Sequence, residues 1–179
     1  MSAPGLTPTT FAHATDDDER LWLLGGLYTY KATGDETGDA YSLFQVRGPG
    51  GLATPMHRHE HEEEGFYVVD GAVTIFADGA EHELRAGGFA FVPRGTAHGF
   101  RLDSAEATLL LLISPGDAGH EEMFREMGEP APAAEIPPPS SASDTWGFTR
   151  YPRSRSPHCG AHGKRGPTAE ASEARAEVQ

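Results

Sequence analysis

GLATPMHRHEHEEEGFYVVDG, residues 51–71, decides how this chain is read. It sets His57 and His59 two apart and follows them with Glu60, Glu62, Glu63 and Glu64. An apolar, strand-like run from Phe66 to Val69 comes next. Residues i and i+2 of an extended chain point to the same side, so His57 and His59 can aim two imidazoles at one point. Imidazoles and a carboxylate converging on one point are what a divalent transition metal binds. A second stretch, GGFAFVPRGTAH (87–98), brings His98 in behind the turn Pro93-Arg94-Gly95. The rest of the chain reads as the scaffold that joins these two pieces.

Strand parity selects the carboxylate. If residues 65–69 are a strand, Glu64 shares a face with Phe66 and Val68, while Glu63 shares the other face with Gly65 and Tyr67. Glu62 has the parity of Glu64 but stands too close to His59. Glu64 is the expected ligand, and Glu60, Glu62 and Glu63 are read as solvated loop charges. In one unbroken strand His61 would rival His59; the chain is instead expected to turn after His59 and send His61 towards solvent or behind the ligands. His13, His82, His120, His158 and His162 have no comparable context and are read as surface residues. His158, Cys159 and His162 look like a metal trio but stand in a polar tail, and are not taken as one.

His57, His59, Glu64 and His98 would fill four positions around one ion. A six-coordinate metal then keeps two positions for water, dioxygen or substrate, which is a catalytic arrangement rather than a closed structural one. Fe, Mn, Co, Ni, Cu and Zn all accept such a donor set. Phe66 and Phe100 share parity with Glu64 and His98 and are expected to line the cavity. Phe44 and Met56 are expected in its walls, and Phe76 and Phe91 either there or as ordinary barrel core. An apolar, aromatic cavity above a metal suits a flat or hydrophobic small-molecule substrate.

The chain has 179 residues, enough for one domain with tails. With Lys+Arg 14 against Asp+Glu 27, the formal charge of -13 opposes nucleic-acid and anionic-membrane partners. The single cysteine, Cys159, excludes an internal disulfide. No signal-peptide pattern opens the sequence and no apolar run is long enough to span a bilayer, so a cytoplasmic location is expected. No helix-turn-helix or basic patch points to a regulator.

The expected organisation is a flexible arm over 1–20, a barrel with one short helix over 21–128, a Pro/Ser-rich extended segment over 129–152 and a disordered tail over 153–179. LWLLGGLYTY (21–30) reads as one strand interrupted by Gly25 and Gly26, and KATGDETGDA (31–40) as a loop. GFYVV and AVTIFA read as a hairpin around Asp70-Gly71, with a further turn at Asp78-Gly79. ATLLLLIS (107–114) reads as a strand buried on both faces. DAGHEEMFREMG reads as a short amphipathic helix carrying Met123, Phe124 and Met127. Short strands separated by turn signals give an all-β class.

The two metal stretches resemble the paired motifs of the cupin superfamily, G-(x)5-H-x-H-(x)3,4-E-(x)6-G and G-(x)5-P-x-G-(x)2-H-(x)3-N. Gly51, His57, His59, Glu64 and Gly71 fall on the first. Gly87, Pro93, Gly95 and His98 fall on the second, where Leu102 replaces the final Asn. The resemblance implies a jelly-roll barrel, the double-stranded β-helix of the cupins, over about residues 21–113. One copy of each motif implies a single-barrel cupin. The spacing His57-x-His59-(x)4-Glu64-x-Phe66-Tyr67 and the helix with Phe124 are similar to bacterial quercetinase-like cupins. That likeness implies a metal-dependent dioxygenase in which Glu64 is both ligand and base for a flavonol hydroxyl. Two other functions use the same site: a non-redox cyclase, isomerase or lyase on a polyketide-like substrate, and a small-molecule-binding cupin without turnover. The family and the exposed β edges also imply a homodimer.

Overall fold

The computed structural model describes residues 10–14, 17–116 and 119–138. The tail from residue 139, with Cys159, His158 and His162, lies outside them.

The chain opens with β1 (Arg20–Leu23) and β2 (Gly26–Ala32), which pair antiparallel with Leu23 opposite Gly26. These are two strands rather than one interrupted strand. Leu24 and Gly25 both have positive φ, 54° and 83°, the geometry of a two-residue hairpin turn. A four-residue helix, α1 (Gly34–Thr37), sits where a loop was expected. Then come β3 (Ser42–Pro49), β4 (Glu63–Asp70), β5 (Ala72–Ala77), β6 (Ala80–Arg85), β7 (Phe89–Val92), β8 (His98–Leu102), β9 (Glu106–Ser114), α2 (His120–Met127) and β10 (Glu129–Pro130).

Among the described residues two antiparallel sheets result: seven strands in the order β10-β1-β2-β3-β9-β4-β7, and three in the order β6-β5-β8. Residues 51–57 run alongside β8 and widen the smaller sheet. Gly51 N–H donates to Leu102 O at 2.8 Å, Thr54 N–H to Phe100 O at 3.0 Å, and His57 and His98 exchange both backbone hydrogen bonds at 2.9 Å. Phe44, Val46, Phe66, Val68, Ile75 and Phe100 meet in one buried core.

The strong hairpin signal at Asp70-Gly71 is used differently from expectation. The neighbours of β4 are β9 and β7, and β5 belongs to the other sheet. The turn is therefore a corner between sheets. Gly71 has φ +80°, and a Cβ there would lie 2.8 Å from Glu106 O and 2.9 Å from Ala107 Cβ, so this close passage across β9 requires glycine. Asp78-Gly79 does close a hairpin, with Ala77 opposite Ala80.

β9 is not buried on both faces. Ala107, Leu109, Leu111 and Ile113 point into the core, whereas Leu112 is exposed on the other face beside Tyr67 and Phe89. The ends of the barrel segment are also tied in. Tyr30 N–H donates to Glu19 O at 2.9 Å, Asp18 pairs with Lys31, and β10 pairs with β1. Trp22 Nε1–H reaches Glu135 O at 2.8 Å, so the start of the Pro-rich segment follows the sheet edge.

Candidate metal centre

The extended segment before β4 carries His57 and His59, β4 carries Glu64, and β8 carries His98. The backbone pairing of His57 with His98 brings those two imidazoles to a ring separation of 4.3 Å. His59 lies 4.7 Å from His57 and 5.3 Å from His98 by the same measure. One nitrogen or oxygen from each of His57, His59, Glu64 and His98 lies within 4.8 Å of all the others.

Hydrogen bonds fix how the rings face. His57 Nδ1–H donates to Pro55 O at 2.8 Å and His98 Nδ1–H to Thr96 O at 2.9 Å. A carbonyl oxygen only accepts, so a proton sits on Nδ1 in both rings and Nε2 is the atom each could offer to a metal. This is the orientation that carbonyls behind metal-binding histidines enforce. His98 Nε2 stands 3.0 Å from Glu64 Oε2. His59 Nε2 stands 3.0 Å from Glu64 Oε1 yet makes no aligned hydrogen bond. In a neutral His98 the Nε2 lone pair would face an anionic oxygen, so that gap calls for a proton or a cation.

Without a metal the protein settles part of this with protons. Burial pushes Glu64 up, but the imidazoles of His59 and His98, each with Nε2 3.0 Å from a carboxylate oxygen, outweigh it and hold the carboxyl at about 2. Burial lowers His98, yet Glu64 more than compensates and leaves it raised. His57 is lowered, chiefly by burial. Glu64 is thus a carboxylate at neutral pH, and His57 is a neutral imidazole. Three nitrogens and one ionised oxygen fit a first-row transition ion better than the all-oxygen surroundings that Ca²⁺ and Mg²⁺ prefer.

Among the expected cavity residues, Phe66 and Phe100 are buried beside the cluster. The ring of Phe66 is 6.3 Å from His98 and 6.0 Å from Phe100. Phe44 is fully buried and packs edge-on against Phe124 of α2 at 5.0 Å. Met56, next to His57, is exposed. Phe76 and Phe91 are corrections. Phe76 pairs with Gly99, between the inward His98 and Phe100, so it faces away from the cluster; it is nonetheless buried, with Arg101 5.2 Å over its ring. Phe91 pairs with Gly65, while its neighbour Val92 pairs with the inward Glu64; Phe91 is therefore on the outer face, 56% exposed.

Two residues read as solvated are in fact buried. His120, 6% exposed, and Glu62, 8% exposed, close over His59. The rings of His120 and His59 are 4.4 Å apart. The signals were present: Glu62 has the parity of Glu64, and His120 precedes Phe124 by four, on one helix face. That face, rather than Met123 and Met127, is the buried side of α2. Glu121 clamps the helix, with Oε1 accepting from Gly34 N–H at 2.7 Å and Ser42 Oγ at 2.5 Å. Burial, then the charge of His59, lowers His120. His61 is exposed, as expected. Glu63 pairs with Arg94 at 3.2 Å. Tyr28, fully buried, is raised by burial and by the charge of Glu64.

A family model described as "Cupin domain" matches residues 43–114. The chain is 34% identical to a quercetin 2,3-dioxygenase of Bacillus subtilis (strain 168) over 113 residues, 63% of this chain and 33% of that relative. It is 28% identical to a quercetin 2,3-dioxygenase of Aspergillus japonicus over 132 residues, 68% of this chain and 37% of that one. The chain thus spans about a third of the length of both relatives. The solved structure of an RmlC-like cupin from Shewanella frigidimarina superposes with a TM-score of 0.54 at 20% identity, covering 63% of this chain and 96% of that chain. Residues 43–114 thus match a cupin domain, and the paired motifs and the two-sheet barrel agree with that match.

Proposed function

We propose that this chain is a metal-dependent dioxygenase acting on a flavonol-like or other enolisable aromatic small molecule, with His57, His59, Glu64 and His98 as metal ligands. The observation that carries the reading is the cluster itself: three imidazoles around a buried carboxylate, two of them turned by backbone carbonyls to present Nε2. The likeness to quercetin 2,3-dioxygenases supports the substrate class. A divalent ion held by these four residues would acidify a coordinated hydroxyl.

The residues of this chain supply the rest. Glu64 is ionised before substrate arrives, so it can accept a hydrogen bond, and then the proton, from an acidified enol or phenol hydroxyl. A carboxylate held this low is a weak base, so transfer depends on the hydroxyl having been made acidic. Phe66 and Phe100 give the aromatic body of a substrate an apolar surface beside His98 and keep water from that side. His57 and His98 keep their Nδ1 protons on Pro55 and Thr96 throughout, which fixes the ring directions.

The test is dioxygen uptake with quercetin by protein reconstituted with each of Fe, Mn, Co, Ni, Cu and Zn, against a metal-free control. Metal-dependent uptake that is lost in Glu64→Gln, with the metal retained, is the expected result. No uptake by protein shown to hold each ion would overturn the dioxygenase assignment and favour non-redox proton-transfer chemistry at the same residues.

A further inference from the structure

On the far side of His59 from Glu64 lies a second group of ligating side chains. His59, Glu62 and His120 each bring one ligand atom within 4.8 Å of the other two. His59 Nδ1 is 3.8 Å from Glu62 Oε2, and His120 Nδ1 is 3.8 Å from Glu62 Oε1. These gaps are too long for hydrogen bonds. They are somewhat wider than the ~3.3 Å between ligand atoms around a tetrahedral ion with bonds of about 2.0–2.1 Å. A closure of a few tenths of an ångström would make the three atoms a coordination face.

His120 supplies the independent observation. The residue is 6% exposed, and among the described residues neither ring nitrogen has a hydrogen-bond partner. An imidazole buried with both nitrogens unpartnered is costly, and buried polar groups in folded proteins are ordinarily satisfied. Here it is held by a clamped helix beside a buried carboxylate that, among the described residues, accepts one long hydrogen bond, 3.3 Å from His61 N–H.

We propose that His59 Nδ1, Glu62 and His120 form a second cation site, which shares His59 with the first. The two nitrogens of His59 face different clusters, Nε2 towards Glu64 and Nδ1 towards Glu62. Two nitrogens and one oxygen select Zn²⁺, Cu²⁺, Co²⁺ or Ni²⁺ over Ca²⁺ or Mg²⁺. An imidazole that ligates through both nitrogens has given up its ring N–H to solvent, so the second ion binds more weakly than the first. The inference rests on the metal reading of the first cluster, and stoichiometry separates the two.

The experiment is equilibrium dialysis of the full chain against Cu²⁺, with ions per chain measured by elemental analysis, for wild type, His120→Gln and Glu62→Gln. Wild type should hold two ions and each variant one, the retained ion showing that the barrel is intact. The two-ion form should give an exchange-coupled electron paramagnetic resonance spectrum, and the variants an isolated-ion spectrum. One ion in wild type overturns the second site alone; no ion overturns the metal reading of the first cluster as well. Two ions that persist in both variants, or that show no coupling, also overturn the second site.

Discussion

Replacing Glu64 by Gln in metal-free protein tests the electrostatics of the cluster directly. The carboxyl falls from its ordinary 4.5 to about 2 because His59 and His98 outweigh the cost of its burial. At about 1.4 kcal/mol per pH unit this is worth about 3 kcal/mol of folding stability. The unfolded chain takes up this proton first. The contribution is therefore full above pH 4.5 and is lost as pH falls towards 2. His98 is raised above its ordinary 6.5 by the same contact, so its contribution is full below 6.5 and is lost as pH rises through its folded-state value. The stability gap between wild type and Glu64→Gln should be widest between about pH 4.5 and 6.5 and narrow on both sides. Urea unfolding in chelator, at half-unit steps from pH 3 to 9, reads that gap. Parallel curves with a constant gap would refute the coupling of Glu64 to these imidazoles.

Three further outcomes follow from the geometry. Adding chelator to metal-loaded protein should lower Tm by on the order of 10 °C, because an ion bound at a thousand times Kd stabilises by about 4 kcal/mol; an unchanged melt would contradict metal binding to the folded cluster. Gly71→Ala should cost about 2 kcal/mol or more, since it combines a positive φ with a 2.8 Å contact to Glu106 O, and a cost below about 0.5 kcal/mol would contradict the close corner. Phe100→Ala should cost about 3–5 kcal/mol in chemical denaturation, and Phe91→Ala under about 1; similar costs would show that the assignment of Phe91 to the outer face is wrong.

The parts of the fold and cluster legible in the sequence were those set by local spacing. His57-x-His59 needs only an extended chain, and Glu64 follows from the parity of the strand after it. His98 follows from the turn at Pro93 and Gly95. Asp78-Gly79 closes its hairpin because the flanking strands pair with each other. Asp70-Gly71 carries the same signal and becomes a corner, because β9 inserts beside β4 from forty residues further along and takes its partner's place. No local pattern reports that competition. Phe76 and Phe91 failed for a related reason. Aromatic character marks a residue as apolar, but only register against Gly99 and Gly65 shows which face it takes. His120 was missed because its burial depends on α2 docking over His59, a contact made across sixty residues of chain.

The most direct measurement of the central claim is anomalous diffraction from crystals of the metal-loaded protein, collected at the absorption edge of the ion. A peak should stand about 2.0–2.2 Å from His57 Nε2, His59 Nε2, His98 Nε2 and a carboxylate oxygen of Glu64. A peak elsewhere only, or none in crystals shown to contain the metal, would contradict the account.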